Sequence, residues 1–185
     1  MKNKFAMTTL DQFRQKLEEA TNKSHPREHG KNVDELRDIY PHNIVCISNP
    51  LSTDNLMPRI YNPTEDCFIY VFKDILSPEM LKSFLDAYER NEKLDSRIEY
   101  RLISEGFIDL HKGQNENDIV IVYFNNSNPA HFAKIANNII TSKWGRGNVW
   151  RHGLWEVPLS YGDEVMYSNG RIKESIFEEV IRTIV

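Results

Sequence analysis

The chain has 185 residues, enough for one domain whose hydrophobic core needs no metal or disulfide to hold it together. Hydrophobic residues make up 40% and charged residues 27%, a profile that excludes a disordered chain. The formal net charge of −4 argues against a nucleic-acid partner, because domains that bind nucleic acid are usually strongly basic. The sequence therefore predicts a single globular domain over residues 1–185.

The sequence contains no recognisable export or membrane segment. It begins Met1-Lys2-Asn3-Lys4-Phe5 and continues into polar residues, and no run reaches the roughly 20 apolar residues that a membrane-spanning helix needs. The two cysteines, Cys46 and Cys67, are too few for a disulfide framework. We expect a protein without a membrane partner that stays in the cytoplasm or is secreted without a cleaved signal peptide.

The first 42 residues read as a helical N-terminal extension. Thr9 and Gln12 have the spacing of a reciprocal helix cap, and apolar residues recur on one face as far as Ala20. A polar loop with Pro26 and Gly30 follows, and then a short helix is predicted over 33–39. The core, residues 43–185, begins with a strand over 44–48.

The middle of the chain leaves two elements open. Residues 68–72 have the composition of a strand, but Asp66 can equally cap a short buried helix that begins at Cys67. Ser77 caps a clear amphipathic helix with Pro78 in its first turn. Residues 97–103 fit either a half-exposed strand or a helix that ends at Gly106.

The last third of the chain predicts mostly strands. Asp118 precedes a strand over 119–124, and a turn over 125–129 separates it from either two further strands, 131–136 and 139–141, or one helix. Short strands are predicted over 155–157 and 164–167, and an amphipathic helix closes the chain. The elements predict an α+β fold.

Cys67 and His131 form the first candidate site. A thiol becomes nucleophilic when a helix start or a neighbouring imidazole stabilises the thiolate, and such partners usually lie far apart in sequence. The pair could therefore be an acyl-transfer dyad. The alternative is a small buried thiol beside an unrelated histidine, because free cysteine is among the most buried residue types.

The second candidate is the segment 143–155, which holds all three tryptophans, three glycines and several cations. Indoles supply rigid apolar surface, and guanidinium groups bind carboxylate or phosphate in paired fashion. Alternatively, the tryptophans cover the edge of the core and the cations stay in water. The candidate substrate-binding residues are Lys143, Trp144, Arg146, Trp150 and Arg151.

No metal or cofactor is predicted. His25 and His29 are four residues apart, but Pro26 and Gly30 argue against a helix beneath them and no cysteine lies nearby in sequence. The chain has no phosphate-binding loop, no nucleophile elbow and no zinc-protease motif. Nucleotide-hydrolase, serine-hydrolase and zinc-protease functions therefore lack support.

From about Tyr61 to Tyr167 the chain resembles the NlpC-like branch of the papain-fold cysteine hydrolases. Cys67-Phe68-Ile69-Tyr70 is similar to the motif that opens the nucleophile helix of that family, and Asp118 to Phe124 is similar to its Gly-Asp-hydrophobic strand. His131 stands where the family has its catalytic histidine. The segment Ser142-Lys143-Trp144-Gly145 is similar to a closing segment of divergent relatives.

The resemblance implies a papain-like fold, with helices packed on a small antiparallel sheet. It also implies a cysteine hydrolase, a peptidase or amidase acting on a peptide or protein, with Cys67 as nucleophile and His131 as general base. Ser142 or His152 would orient the base. The competing hypothesis is a non-catalytic protein–protein interaction module on the same scaffold, which uses the Trp/Arg-rich segment as its binding surface.

Overall fold

A computed structural model describes residues 9–22, 28–48, 66–90, 98–144 and 148–184. These residues contain a six-stranded antiparallel sheet and six helices, so the predicted α+β class is confirmed. No helix in these ranges is long and apolar enough to cross a bilayer. The helices are α1 (Leu10–Asn22), α2 (His29–Glu35), α3 (Cys67–Phe72), α4 (Pro78–Arg90), α5 (Ile98–Ser104) and α6 (Glu174–Ile184).

The strands are ordered β1-β5-β4-β3-β2-β6 across the sheet. Strands β2, β3 and β4 form the predicted meander, which rules out the helix that the same residues could have formed. Their bounds are β1 (Val45–Ser48), β2 (Val120–Asn125), β3 (Asn128–Ala136), β4 (Ile139–Lys143), β5 (Val149–His152) and β6 (Glu164–Ser168).

Side-chain caps account for where three of the helices begin. The Thr9 and Gln12 side chains each accept a hydrogen bond from the other's backbone amide, at 3.2 and 3.0 Å. Asp66 caps α3 by accepting from the Ile69 amide at 2.9 Å, and Ser77 caps α4 through the Met80 amide at 3.2 Å. The ambiguous segment that begins at Cys67 is therefore a helix.

The sheet is covered on both faces, and each face has its own hydrophobic cluster. On the first face, Val120, Val122 and Phe132 pack against the helices α3 to α6. On the second face, Ile121, Tyr123 and Ala133 pack with Trp150 and the N-terminal helix α1. We call these the α3 face and the α1 face. Successive residues of a strand point to opposite faces, so neighbours in β3 lie in different layers.

Helix α1 is tied to the sheet through a buried arginine. Arg14, which is 3% exposed, donates hydrogen bonds from Nε to the Val157 carbonyl at 3.2 Å and from Nη2 to the Gly162 carbonyl. Gly162 has φ 111°, and a Cβ there would lie 2.0 Å from the Phe124 carbonyl oxygen, so only glycine fits. These contacts fix the short helical turn at Leu159–Tyr161 beside the sheet.

One sequence prediction for this part of the chain is wrong, and one open alternative is decided. Residues 155–157 form no strand, and the strand that fills this part of the sheet is β5, at Val149–His152. Residues 97–103, for which a strand or a helix was possible, contain helix α5, and Gly106 follows it with φ 81°. His25, Arg146 and the residues 61–65 lie outside the described part of the chain.

Candidate functional site

Cys67 lies at the mouth of a cleft of about 580 Å³ on the α3 face. One wall of the cleft is formed by Asp66 and Cys67, and a second wall is formed by Glu99 and Tyr100 of α5. The tip of the β2–β3 hairpin and Tyr161 form the rest. Phe132 of β3 also lines the cleft. The thiol at a helix start, which the sequence predicts, is therefore present.

The environment of the Cys67 thiol disfavours the thiolate. Burial raises the pKa of the thiol well above its ordinary value, and the nearby charge of Asp66 raises it further. The backbone amide of Phe132 hydrogen-bonds toward the sulfur and opposes this rise only in part. Cys67 is therefore a protonated thiol at neutral pH, the opposite of an activated nucleophile.

His131 lies on the other side of the sheet. It is opposite Tyr123 in the β2–β3 pairing, and its ring stacks on that of Tyr161 with centroids 3.8 Å apart. Both tyrosines belong to the α1-face cluster. Its neighbour Phe132 instead points to the α3 face, where Cys67 packs. Nε2 of His131 has no hydrogen-bonding partner in the described part of the chain. The predicted Cys67–His131 dyad is therefore wrong, because the strand places the two side chains on opposite faces.

His131 also lacks the properties of a general base. It is 1% exposed, and burial lowers its pKa well below the ordinary value, with a smaller contribution from His152. A base needs access to a substrate proton. His131 is instead a neutral side chain packed between aromatic rings of the core.

Ser142 and His152, the two predicted orienters, do meet, but they do so away from Cys67. Ser142 Oγ lies 2.8 Å from Nε2 of His152 and accepts a hydrogen bond from Trp144 Nε1 at 3.0 Å. His152 Nδ1 lies 2.8 Å from the Gly153 carbonyl, which can only accept. The imidazole is therefore protonated on Nδ1, and the Ser142 hydroxyl donates to Nε2.

This chain of hydrogen bonds is structural. Ser142 is 0% exposed, so no substrate reaches its hydroxyl. Burial lowers the pKa of His152 to about 4, which keeps the ring neutral and preserves its role as an acceptor. The prediction that either residue orients a catalytic histidine is therefore wrong.

The tryptophans of the predicted binding segment are core residues. Trp144 and Trp150 are 2% and 1% exposed and stack on each other with centroids 4.9 Å apart. They point to the α1 face, as Ser142 and His152 do, because they alternate with outward-facing residues in β4 and β5. The alternative interpretation, in which the tryptophans cover the core, is thus correct, and the prediction of a tryptophan-walled substrate cleft is wrong.

The basic residues of the segment 143–155 that the structure describes lie in different parts of the fold. Lys143 is buried on the α3 face, and its charge acts on Asp66 of the cleft. Arg151 is exposed and lines a second cavity, at another edge of the sheet. Among the predicted substrate-binding residues that the structure describes, Lys143 is therefore the one close to the candidate cleft.

The residue that sequence analysis missed is Glu99. Glu99 and Asp66 both line the cleft, and their side chains hydrogen-bond to each other. Two carboxyl groups in direct contact must share a proton, because two ionised carboxylates repel each other. Burial, the largest cause, raises the pKa of Asp66, whereas the hydrogen bonds from Glu99 and from backbone amides and the charge of Lys143 lower it. No local signal marked Glu99, since it reaches the cleft only through the packing of α5.

The cleft contains no metal-binding cluster. In the described ranges, no three His, Cys, Asp or Glu side chains are placed to hold a metal ion. Comparisons of the chain with protein families, with curated proteins and with solved structures found no match. The function must therefore be argued from the cleft itself.

Proposed function

We propose that this protein is a non-catalytic interaction module whose Cys67 cleft binds a positively charged group of a peptide or protein. The observation that carries the proposal is the contact between the Asp66 and Glu99 carboxyl groups in a cleft of about 580 Å³. Lys143 already places one positive charge near Asp66, and an amine or guanidinium group of a ligand would replace the shared proton and add hydrogen bonds to both carboxyl groups. Charge-assisted hydrogen bonds of this kind are among the strongest in proteins.

The other walls of the cleft suit a peptide. Tyr100, 38% exposed, offers ring surface against which a cation or its aliphatic stem packs. Asn125, Asn126 and Asn128 of the hairpin also line the cleft. Their side-chain NH2 groups donate within the hairpin and to the Ser160 carbonyl, so they form a polar wall that is already held in place. The cleft therefore combines one charged anchor with polar and aromatic contacts.

The proposal is tested with N-acetyl-arginine amide as a minimal cationic probe and N-acetyl-norleucine amide as its uncharged counterpart. We expect the arginine probe to shift NMR resonances of the cleft residues, and Glu99→Gln to weaken its binding by about tenfold or more, since one charge-assisted contact is lost. Binding should tighten as the pH rises, because the shared proton leaves as the cation enters.

The matched control is Glu105→Gln, directly after the end of α5 and paired with Arg101 at the surface. It should leave binding of the arginine probe unchanged. Equal binding of the two probes, or an unchanged affinity after Glu99→Gln, would overturn the proposal. Cys67→Ala should keep the affinity within about twofold, since the neutral thiol supplies no charge to the cation.

The cysteine hydrolase predicted from the sequence stays a prediction, and a separate experiment decides it. In a Cys46→Ala background, so that one thiol remains, we expect Cys67 to react with iodoacetamide at pH 7 at least about ten times more slowly than free cysteine. The reason is the raised pKa of its thiol. Alkylation followed by mass spectrometry measures the rate, and a Cys67 that reacts faster than free cysteine would restore the hydrolase.

A further inference from the structure

A second cavity, of about 420 Å³, lies where three chain segments meet at one end of the sheet. The turn between β3 and β4, the end of β5 and the start of β1 supply its walls, and Arg37 closes it from the N-terminal layer. None of the residues of the Cys67 cleft lines it. It is therefore a separate site.

The ionic groups of this cavity are cations. Arg37 and Arg151 line it, and none of the described residues that line it is acidic. Arg37 donates to the Ile44 carbonyl at 2.8 Å and approaches Asp34 at 3.4 Å on the surface. Arg151 is exposed, and the described part of the chain gives it no hydrogen-bonding or ion-pair partner. One guanidinium is therefore held in place and the other is available.

Two carboxylates near the cavity wall are already engaged: Asp34 pairs with Arg37 at 3.4 Å, and Glu156 is held by backbone amides. Glu156 accepts hydrogen bonds from the Gly153 amide at 2.8 Å and from the Asn43 amide at 3.1 and 3.2 Å. These amides engage both of its carboxylate oxygens, and the described residues show no ion pair between Glu156 and Arg151. The histidine rings in the wall are also occupied, as His42 lies 3.0 Å from the Val33 carbonyl and accepts from Ile44 at 3.2 Å.

The remaining surface of the cavity is aliphatic. Val45 and Ile139 are 37% and 45% exposed, and Ile140 lies behind them. Exposed aliphatic side chains beside two guanidinium groups favour a ligand with a charged head and an apolar body, because each part then has its own contact surface.

We propose that this cavity binds a small aliphatic carboxylate, with Arg37 and Arg151 holding the carboxylate and Val45 and Ile139 contacting the hydrocarbon part. Guanidinium groups match a carboxylate in fork geometry. Phosphate is also an oxyanion that guanidinium groups bind, but it has no apolar part to contact Val45 and Ile139. A binding experiment can therefore distinguish an aliphatic carboxylate from phosphate as the ligand.

The test is an NMR titration of the full chain with three probes: hexanoate, hexanamide and inorganic phosphate. The ring resonances of His152, which lines the cavity, report occupancy. We expect saturable binding of hexanoate. Hexanamide and phosphate should each bind at least about tenfold more weakly, because hexanamide lacks the charge that the guanidinium groups bind and phosphate lacks the apolar body.

Arg151→Gln should weaken hexanoate binding by about tenfold or more, and it is expected to fold normally because Arg151 holds no structural contact. Arg37→Gln should do the same, with thermal unfolding as a check because Arg37 also anchors Ile44. Arg101→Gln, on α5, is the matched control and should change nothing. Absence of saturable hexanoate binding, equal binding of hexanamide or phosphate, or an unchanged affinity after Arg151→Gln would overturn the proposal.

Discussion

Replacing Trp150 with alanine is expected to lower the free energy of unfolding by about 3–5 kcal/mol, the usual cost of removing a large buried aromatic side chain. Trp150 is 1% exposed and stacks on Trp144, whose indole is part of the hydrogen-bonded chain through Ser142 and His152. Loss of the Trp150 side chain leaves a cavity in the α1-face cluster. It also removes the ring that packs against Trp144 and so holds the hydrogen bonds among Trp144, Ser142 and His152 in place. Urea unfolding monitored by circular dichroism measures the effect.

Two variants make this experiment specific. Trp150→Phe keeps a ring in the stack and should cost clearly less than Trp150→Ala. Tyr100→Ala removes an aromatic side chain that is 38% exposed and should cost less than about 1 kcal/mol. A Trp150→Ala protein that keeps its stability but loses a partner would instead support the binding surface predicted from the sequence.

Acid should destabilise the protein through its buried histidines. The pKa of His152 in the folded state is about 4, and that of His131 is also lowered well below its ordinary value, in both cases chiefly by burial. In the unfolded chain both rings titrate near pH 6.5, so the unfolded state binds more protons below that pH. Stability is therefore full above about pH 6.5 and falls as the pH drops toward 4.

The expected loss is about 3 kcal/mol from His152 alone by pH 4, at about 1.4 kcal/mol per pKa unit. His131→Phe removes one of the two rings, keeps the stacking on Tyr161 and eliminates a buried nitrogen without a partner. We expect this variant to be at least as stable as the wild type at pH 7 and more stable at pH 4.5. Urea unfolding at the two pH values measures it.

A matched variant separates charge from packing. His131→Gln also removes the titrating group but buries an amide between aromatic rings, so it should lose stability at pH 7 while its pH dependence weakens. If His131→Phe were instead less stable than the wild type at pH 7 and had the same pH dependence, the neutral, packed role of His131 would be wrong.

The sequence predicted those elements whose signals are local. The reciprocal cap at Thr9 and Gln12 depends on neighbouring residues, and the structure has it. For the helix capped by Asp66 and for the meander from β2 to β4 the local signals left two alternatives each, and the structure shows which one forms. Strand β5 was missed because its four residues, Val149–His152, are too few to establish an alternating pattern.

The candidate site could not be predicted in the same way because it depends on which face a side chain occupies. β3 is buried on both faces, so both His131 and Phe132 are compatible with a core position. The sequence pattern of this strand therefore does not tell which of the two side chains points to the α3 face. The order of motifs predicted the helix that begins at Cys67, but the register of one strand decides whether His131 meets it. Glu99 depends on the packing of α5, which no short pattern records.

The most direct test of the account is an NMR titration of the His131 ring in the wild type and in Cys67→Ala. A thiolate–imidazolium pair would keep this ring protonated near neutral pH and would lose that proton when the sulfur is removed. With the two side chains on opposite faces, we predict a neutral His131 ring between pH 6 and 8 in both proteins, with unchanged ring shifts. A ring that is protonated at pH 7 in the wild type and neutral in Cys67→Ala would contradict the account.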